Sequence, residues 1–299
     1  MAAILAHEHP LSAGTSLEEV SQLLRSFKEQ GGELLVDVTP KECNLPRNPT
    51  LLKSLAKMAG IEVIFSTAYY KEPYIPMRIQ KLSVEAIAEE FLREIEEGIE
   101  GTGIRPAVIG EVGTSFRTIT PSEERILKAA AIAQRYTGLP IITHTTHGTM
   151  GIEQLDILEK SGADLNKVIV GHSDLNSDIQ YHLEIVRRGA NLGFDTVGKE
   201  RWVSASLPGE LAYQPDAVRI KLILDLFERG AGDKIVVSLD MLYKEKELNM
   251  DTHGRYGYTY IFVFLKKLRE AGLSRAECEA LVEKNPRGIL KKEQQNKKT

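Results

Sequence analysis

Short apolar runs recur along the chain. Between them, apolar residues fall three and four positions apart. A short run that is apolar on both faces reads as a buried parallel strand, and the wider spacing reads as one face of a helix. The runs cover residues 2–5, 34–38, 63–69, 107–112, 140–144, 168–172, 190–196 and 235–240. Helices are predicted over 16–30, 49–58, 83–97, 121–136, 152–160, 178–188, 216–229 and 258–270, with 275–284 closing the chain. Leu17, Val20, Leu23, Leu24 and Phe27 show the helical spacing, and Gly31 and Gly32 end that segment. Thr120 is the expected N-cap of the fourth helix, with Pro121 at its first position.

Eight strand–helix units could wind into an open sheet or close into a barrel. No Gly-X-Gly-X-X-Gly follows the first strand, and no linker or shift in composition divides the chain. Both observations favour an α/β fold of one (β/α)8 TIM barrel over residues 1–290. Residues 291–299 form a polar, Lys-rich tail that is expected to be disordered.

Composition narrows the class. Of 299 residues, 42% are apolar, enough for a large core. The net charge of −4 comes with no basic stripe, so nucleic acid is not an expected partner. Cys43 and Cys278 lie far apart without metal-ligand spacing, which fits a reducing compartment and no disulfide framework. No run approaches the roughly 18 apolar residues of a membrane span. A cytoplasmic, non-membrane protein is expected.

In such a barrel the chemistry sits at the carboxyl ends of the strands. His7 and His9 flank the end of strand one and, two apart, point to one face. A His-X-His pair alone also occurs in flexible amino-terminal segments. Strand four adds Glu111, strand five His144, strand six His172 and strand eight Asp240. Each alone could be a core polar group satisfied by backbone. Six on one face are poorly explained that way, because an unpaired buried polar group costs about 1–3 kcal/mol. A metal accounts for them together. Six ligands exceed one tetrahedral zinc and suit two divalent ions that share a carboxylate and a hydroxide.

The motifs carrying these residues resemble a known family. Leu5-Ala6-His7-Glu8-His9, Ile109-Gly110-Glu111-Val112-Gly113-Thr114-Ser115, Thr143-His144-Thr145-Thr146, Val170-Gly171-His172-Ser173-Asp174, Phe194-Asp195-Thr196-Val197-Gly198-Lys199 and Ser238-Leu239-Asp240 are similar to the phosphotriesterase-related branch of the amidohydrolase superfamily. The similarity runs nearly the whole chain, to Asn285-Pro286. It implies that His7, His9 and Asp240 hold one metal, that His144 and His172 hold the other, and that Glu111 bridges them. It further implies hydrolysis by a bridging hydroxide, with Asp240 as the catalytic residue taking the proton. Many relatives bridge with a carboxylated lysine. Glu111 is shorter, which draws the metals closer or weakens one of them.

Zinc is the first expectation for both ions, with manganese, cobalt or iron as alternatives. Two divalent ions against two carboxylates and a hydroxide leave roughly +1, which favours an anionic or electron-rich small molecule. Tyr69, Lys199 and Lys244 are the candidate substrate-binding residues, and Tyr70 shares the position of Tyr69 at the end of strand three. His147, three residues past His144, reads equally as a lid or supporting residue and as an exposed loop histidine, and His182 and His253 receive no role. The expected substrate is a lactone or carboxylic ester, phosphorylated or not, with organophosphate triesters as promiscuous substrates. The alternatives are an amide hydrolase or deaminase with a mononuclear site, and a non-catalytic metal- or metabolite-binding barrel. A missing His-X-X-Glu near strands five and six counts against the deaminase, and the complete ligand set counts against the inert barrel. By analogy the family allows a homodimer.

Overall fold

A computed structural model describes residues 1–14, 16–200, 212–242 and 256–291. Eight parallel strands follow one another around the sheet in chain order: β1 (Ala3–Glu8), β2 (Gly32–Asp37), β3 (Glu62–Thr67), β4 (Val108–Thr114), β5 (Ile141–Thr145), β6 (Val168–Gly171), β7 (Asn191–Phe194) and β8 (Ile235–Val237). The intervening helices are α1 (Leu17–Glu29), α2 (Pro49–Ala59), α3 (Val84–Glu97), α4 (Pro121–Thr137), α5 (Gly151–Lys160), α6 (Ile179–Arg187) and α7 (Asp216–Glu228). After β8 come α8 (Tyr260–Glu270), α9 (Arg275–Glu279), a π-helical turn at Ala280–Lys284 and α10 (Asn285–Leu290). This is the expected (β/α)8 barrel. Lys244, His253 and residues 292–299 lie outside the described residues.

Local chemistry sets where the helices start. Ser16, Asn48 and Ser83 each accept a backbone N–H from the first turn of α1, α2 and α3. Thr120 caps α4 as expected, and Glu123 reaches back to the Thr120 N–H to complete a capping box. The closing segment differs from expectation. It continues past residue 284 because Asn285-Pro286 opens another helix instead of ending one. Pro286 falls in the first turn, where its missing N–H costs nothing.

The core has two layers. Inside the barrel, Ala6, Val36, Val38, Val108, Ile142, Ile169 and Val236 pack together, joined by Ile289 of α10. Outside, the other strand faces pack on the helices through residues such as Phe27, Phe91, Leu127 and Phe264. Strand residues are thus buried on both faces, which is why the runs are apolar throughout.

The seam where β8 meets β1 depends on a carboxylate. Glu8 is fully buried and accepts hydrogen bonds from Ser238 Oγ (2.7 Å), Leu239 N (2.8 Å) and Met241 N (3.0 Å). Nearby, Asp240 N donates to the His7 carbonyl at 3.1 Å.

Candidate metal centre

The strand ends bring the six predicted residues into one cluster. His7 lies within β1 and His9 one residue beyond it, with ring centroids 5.9 Å apart. Glu111 projects from β4 and His144 from β5. His172 and Asp240 follow the ends of β6 and β8 with φ of 55° and 47°, in the left-handed region. That conformation costs about 1–3 kcal/mol for a residue with a side chain, and here it accompanies two side chains of the cluster.

Glu111 is at the middle. Its Oε1 is 3.3 Å from His9 Nε2, and its Oε2 is 3.3 Å from His7 Nε2 and 3.2 Å from His144 Nδ1. Asp240 Oδ1 is 3.3 Å from His9 Nε2. His144 Nδ1 and His172 Nε2 approach to 2.8 Å. One atom from each of His7, His9 and Asp240 falls within a common 4.8 Å, as does one from each of His7, Glu111 and His172.

Fields within the cluster are strong. Burial would raise the Glu111 carboxyl, but the His144, His7 and His9 imidazoles beside it outweigh burial and hold the pKa well below the usual carboxylate range. Burial opposes the His9 imidazolium, yet Asp240 and Glu111 push it up to about 10. His144 goes the other way, down to about 3, through burial and the neighbouring His172 charge. Asp240 stays ionised against burial because of the Lys199 ammonium and His9.

The donor set fits divalent cations. Both His7 ring nitrogens are buried and neither has a hydrogen-bond partner, although carboxylate oxygens lie 3.1 and 3.3 Å away. Imidazole and carboxylate donors with lone pairs converging on one space are what zinc, manganese, cobalt or iron take.

Behind the rings stands a residue to which sequence reasoning gave no role. Asp195 Oδ1 accepts from the His172 backbone N–H (2.8 Å) and lies 2.7 Å from His172 Nδ1, while Oδ2 is 3.1 Å from His7 Nδ1. A carboxylate behind a ligand histidine fixes its tautomer and ring orientation. Asp195 does this for His172 and places its other oxygen beside the His7 ring. A Cβ on Gly193 would sit 2.6 Å from Asp195 Oδ2, and one on Gly171 would sit 2.1 Å from the Thr143 carbonyl. Strand seven was predicted to run to residue 196, which hid Asp195 inside it. The strand stops at Phe194, leaving Asp195 as one more polar residue at a strand end.

The predicted substrate-binding residues fall differently. Lys199 is buried against Asp240. It is 1% exposed, and its Nζ sits 2.5 Å from Asp240 Oδ2. Tyr69 is turned away from the cluster: its hydroxyl bonds Glu90 and Arg78, and its ring packs on Phe91. Tyr70 is the one that reaches in, with its hydroxyl 3.1 Å from His144 Nδ1. Lys244 is outside the described residues. His147 lies beside Phe116 and Tyr213, and buried His182 contacts the Ser173 carbonyl at 2.9 Å.

A (β/α)8 barrel with histidines and carboxylates gathered at its strand ends is the framework of a metal-dependent hydrolase. The phosphotriesterase family pattern matches residues 7–290, and the chain belongs to that family. It is 34% identical over 268 residues to the phosphotriesterase homology protein of Escherichia coli, covering 89% of this chain and 86% of that one. The crystal structure of that protein with phosphate in its active site superposes with a TM-score of 0.86 at 32% identity, covering 97% and 99% of the two chains. An N-acetyltaurine hydrolase of Dictyostelium discoideum is 33% identical over 272 residues, 89% of this chain and 71% of that one. A lactonase of Listeria monocytogenes superposes with a TM-score of 0.82 at 25% identity, covering 97% and 94%. The chain is thus a metal-dependent hydrolase acting on small molecules. Among the described residues no helix is long and apolar enough to cross a membrane.

Proposed function

We propose that this chain hydrolyses an ester-type bond, a lactone or carboxylic ester, phosphorylated or not, using two divalent ions of which zinc is the first candidate. The observation that carries the reading is the position of Glu111. Its two oxygens face different histidines, His9 on one side and His144 on the other, with His7 near the second oxygen. His7, His9 and Asp240 would hold one ion, His144 and His172 the other, and Glu111 would lie between. Ions bound there supply Lewis acidity toward the substrate's carbonyl or phosphoryl oxygen and an acidified water.

The protein's own groups do the rest. Asp240, ionised and 7% exposed, is the carboxylate that receives the proton of the attacking water, its natural role at hydrogen-bond reach. Lys199 holds Asp240 Oδ2 and so orients Oδ1. Tyr70 is placed to donate to an oxygen arriving beside His144. Asp195 keeps the His7 and His172 rings in place.

A second reading, hydrolysis of an N-acyl amide, draws support from the relatives named N-acetyltaurine hydrolase. The same residues serve it, since ester and amide carbonyls are attacked alike.

The test is metal content per chain in protein purified without chelator, with anomalous diffraction to locate the ions. Two ions flanking Glu111 are expected. One ion overturns the binuclear reading, and none after added zinc or manganese overturns the metal reading. Turnover of a panel of lactones, carboxylic esters and N-acetyl amides then decides the bond. Cleavage of the amides alone overturns the ester reading.

A further inference from the structure

Lys71 is a buried cation for which the metal centre has no use. It is 7% exposed. Among the described residues no carboxylate lies within 4.0 Å of its Nζ, and its one hydrogen bond is a long 3.3 Å contact to the Glu72 carbonyl. The nearby Glu123 is already engaged. Its Oε1 accepts from Glu72 N and Ser115 Oγ, and its Oε2 accepts from the Thr120 N–H in the cap of α4. What surrounds the ammonium is aromatic: the Tyr70 and Tyr74 rings, with centroids 5.5 and 5.7 Å away. Ring faces offset only part of the cost of taking an ammonium out of water.

The position is on the rim of the site. The Lys71 stem lies against Gly113, where an added Cβ would meet Lys71 Cβ at 3.0 Å. Gly113 is two residues past Glu111 on β4. The Tyr70 ring that faces the ammonium is 4.9 Å from the His144 ring. The charge is felt at the centre, since Lys71 is among the causes that lower His144.

We infer that Lys71, framed by Tyr70 and Tyr74, is a recognition subsite for an oxyanion group of the substrate, a carboxylate, sulfonate or phosphate carried beside the bond that is cut. An anion there takes the ammonium's unused donors while the reacting carbonyl lies by His144. The inference rests on the hydrolase reading for the identity of the ligand as substrate. It makes Lys71 a specificity residue, not a reacting one.

Metal-loaded wild type, Lys71→Met and Lys71→Arg are titrated calorimetrically with N-acetyltaurine, N-acetyl-β-alanine and the neutral N-acetylethanolamine. Wild type should bind at least one anionic ligand about tenfold tighter than the neutral one, a preference typical of a charge-assisted contact. Lys71→Met should lose that preference with neutral binding unchanged, and Lys71→Arg should keep most of it. Sulfonate against carboxylate distinguishes which oxyanion fits. No anion preference in the wild type, including no binding at all, overturns the inference, as does a preference that survives in Lys71→Met. Thermal unfolding separates recognition from support. Removing an unpaired buried charge should leave Tm equal or higher, whereas a clear fall in Lys71→Met overturns the inference in favour of a structural lysine. Preference without turnover of any of these ligands would sink the N-acyl amide reading and leave the binding subsite standing.

Discussion

Two buried polar clusters lie on the same side of the barrel, and they are built from similar materials. One is the metal centre. The other is behind β7, where Arg219 is wholly buried. Its Nε bonds Asp174 Oδ2 at 2.6 Å, its Nη1 lies 3.2 Å from Asp216 Oδ1 and also bonds the Gln214 carbonyl, and its Nη2 bonds Thr196 Oγ1 at 2.8 Å. Tyr260 donates to Asp216 Oδ2 at 2.6 Å. Every nitrogen of the guanidinium is used, and only Asp174 Oδ1 lacks a partner. At the centre, by contrast, both His7 nitrogens go without. The Arg219 network is closed but for one carboxylate oxygen, whereas the metal centre has lone pairs converging on one another. Polar burial marks a ligand site only where its hydrogen bonds fail to close.

Substitutions can break that contrast. The largest effect is expected for Asp240→Asn. Turnover should fall about 10²- to 10⁴-fold, the worth of a positioned proton acceptor. Circular dichroism should stay native, and full activity would remove Asp240 from the proton path. Arg219→Met should do the reverse. It strands two buried carboxylates and should cost about 3–5 kcal/mol in urea unfolding. Metal stoichiometry in the surviving folded fraction should be unchanged, and a wild-type midpoint would show that the network carries no stability. Asp195→Asn belongs to both worlds. It should weaken metal affinity about 10–100-fold by competitive chelation while the fold persists. Unaltered affinity would mean that the two rings orient themselves. The smallest effect falls outside both clusters. Thr120→Ala should cost about 1 kcal/mol through the lost cap of α4, with no change in metal content.

How much of this was legible in the sequence depends on where a residue sits relative to a strand. Periodicity finds strands, and strand ends find His7, His9, Glu111, His144, His172 and Asp240. Past the strand end the alternation no longer dictates direction. β3 stops at Thr67, so nothing in the pattern says that Tyr70 turns toward His144 while Tyr69 turns toward α3. Lys199 read as a substrate-binding candidate, and its pairing with Asp240 was hidden because the two are 41 residues apart in sequence. Asp195 was obscured by a strand drawn two residues too long. Lys71 carried no signal, since only the packed structure shows that Glu123 is spoken for. The closed network was equally hidden, because Asp174 and Asp216 are 45 and 3 residues from Arg219 and only the fold unites them.

The seam held by Glu8 also dictates an order of assembly. His7 and His9 lie at the first strand of the barrel, which is made before the other seven. The backbone partners of Glu8 come 231 and 233 residues later, with Asp240 between them. A nascent chain carries these two histidines while the strands bearing Glu111, His144 and His172 are made, and it can complete the centre only when β8 brings Asp240. The centre therefore reports on the finished barrel. A ribosome-bound or truncated chain lacking β8 has the histidines but no clasp, and a stably held ion is evidence that first and last strands have met.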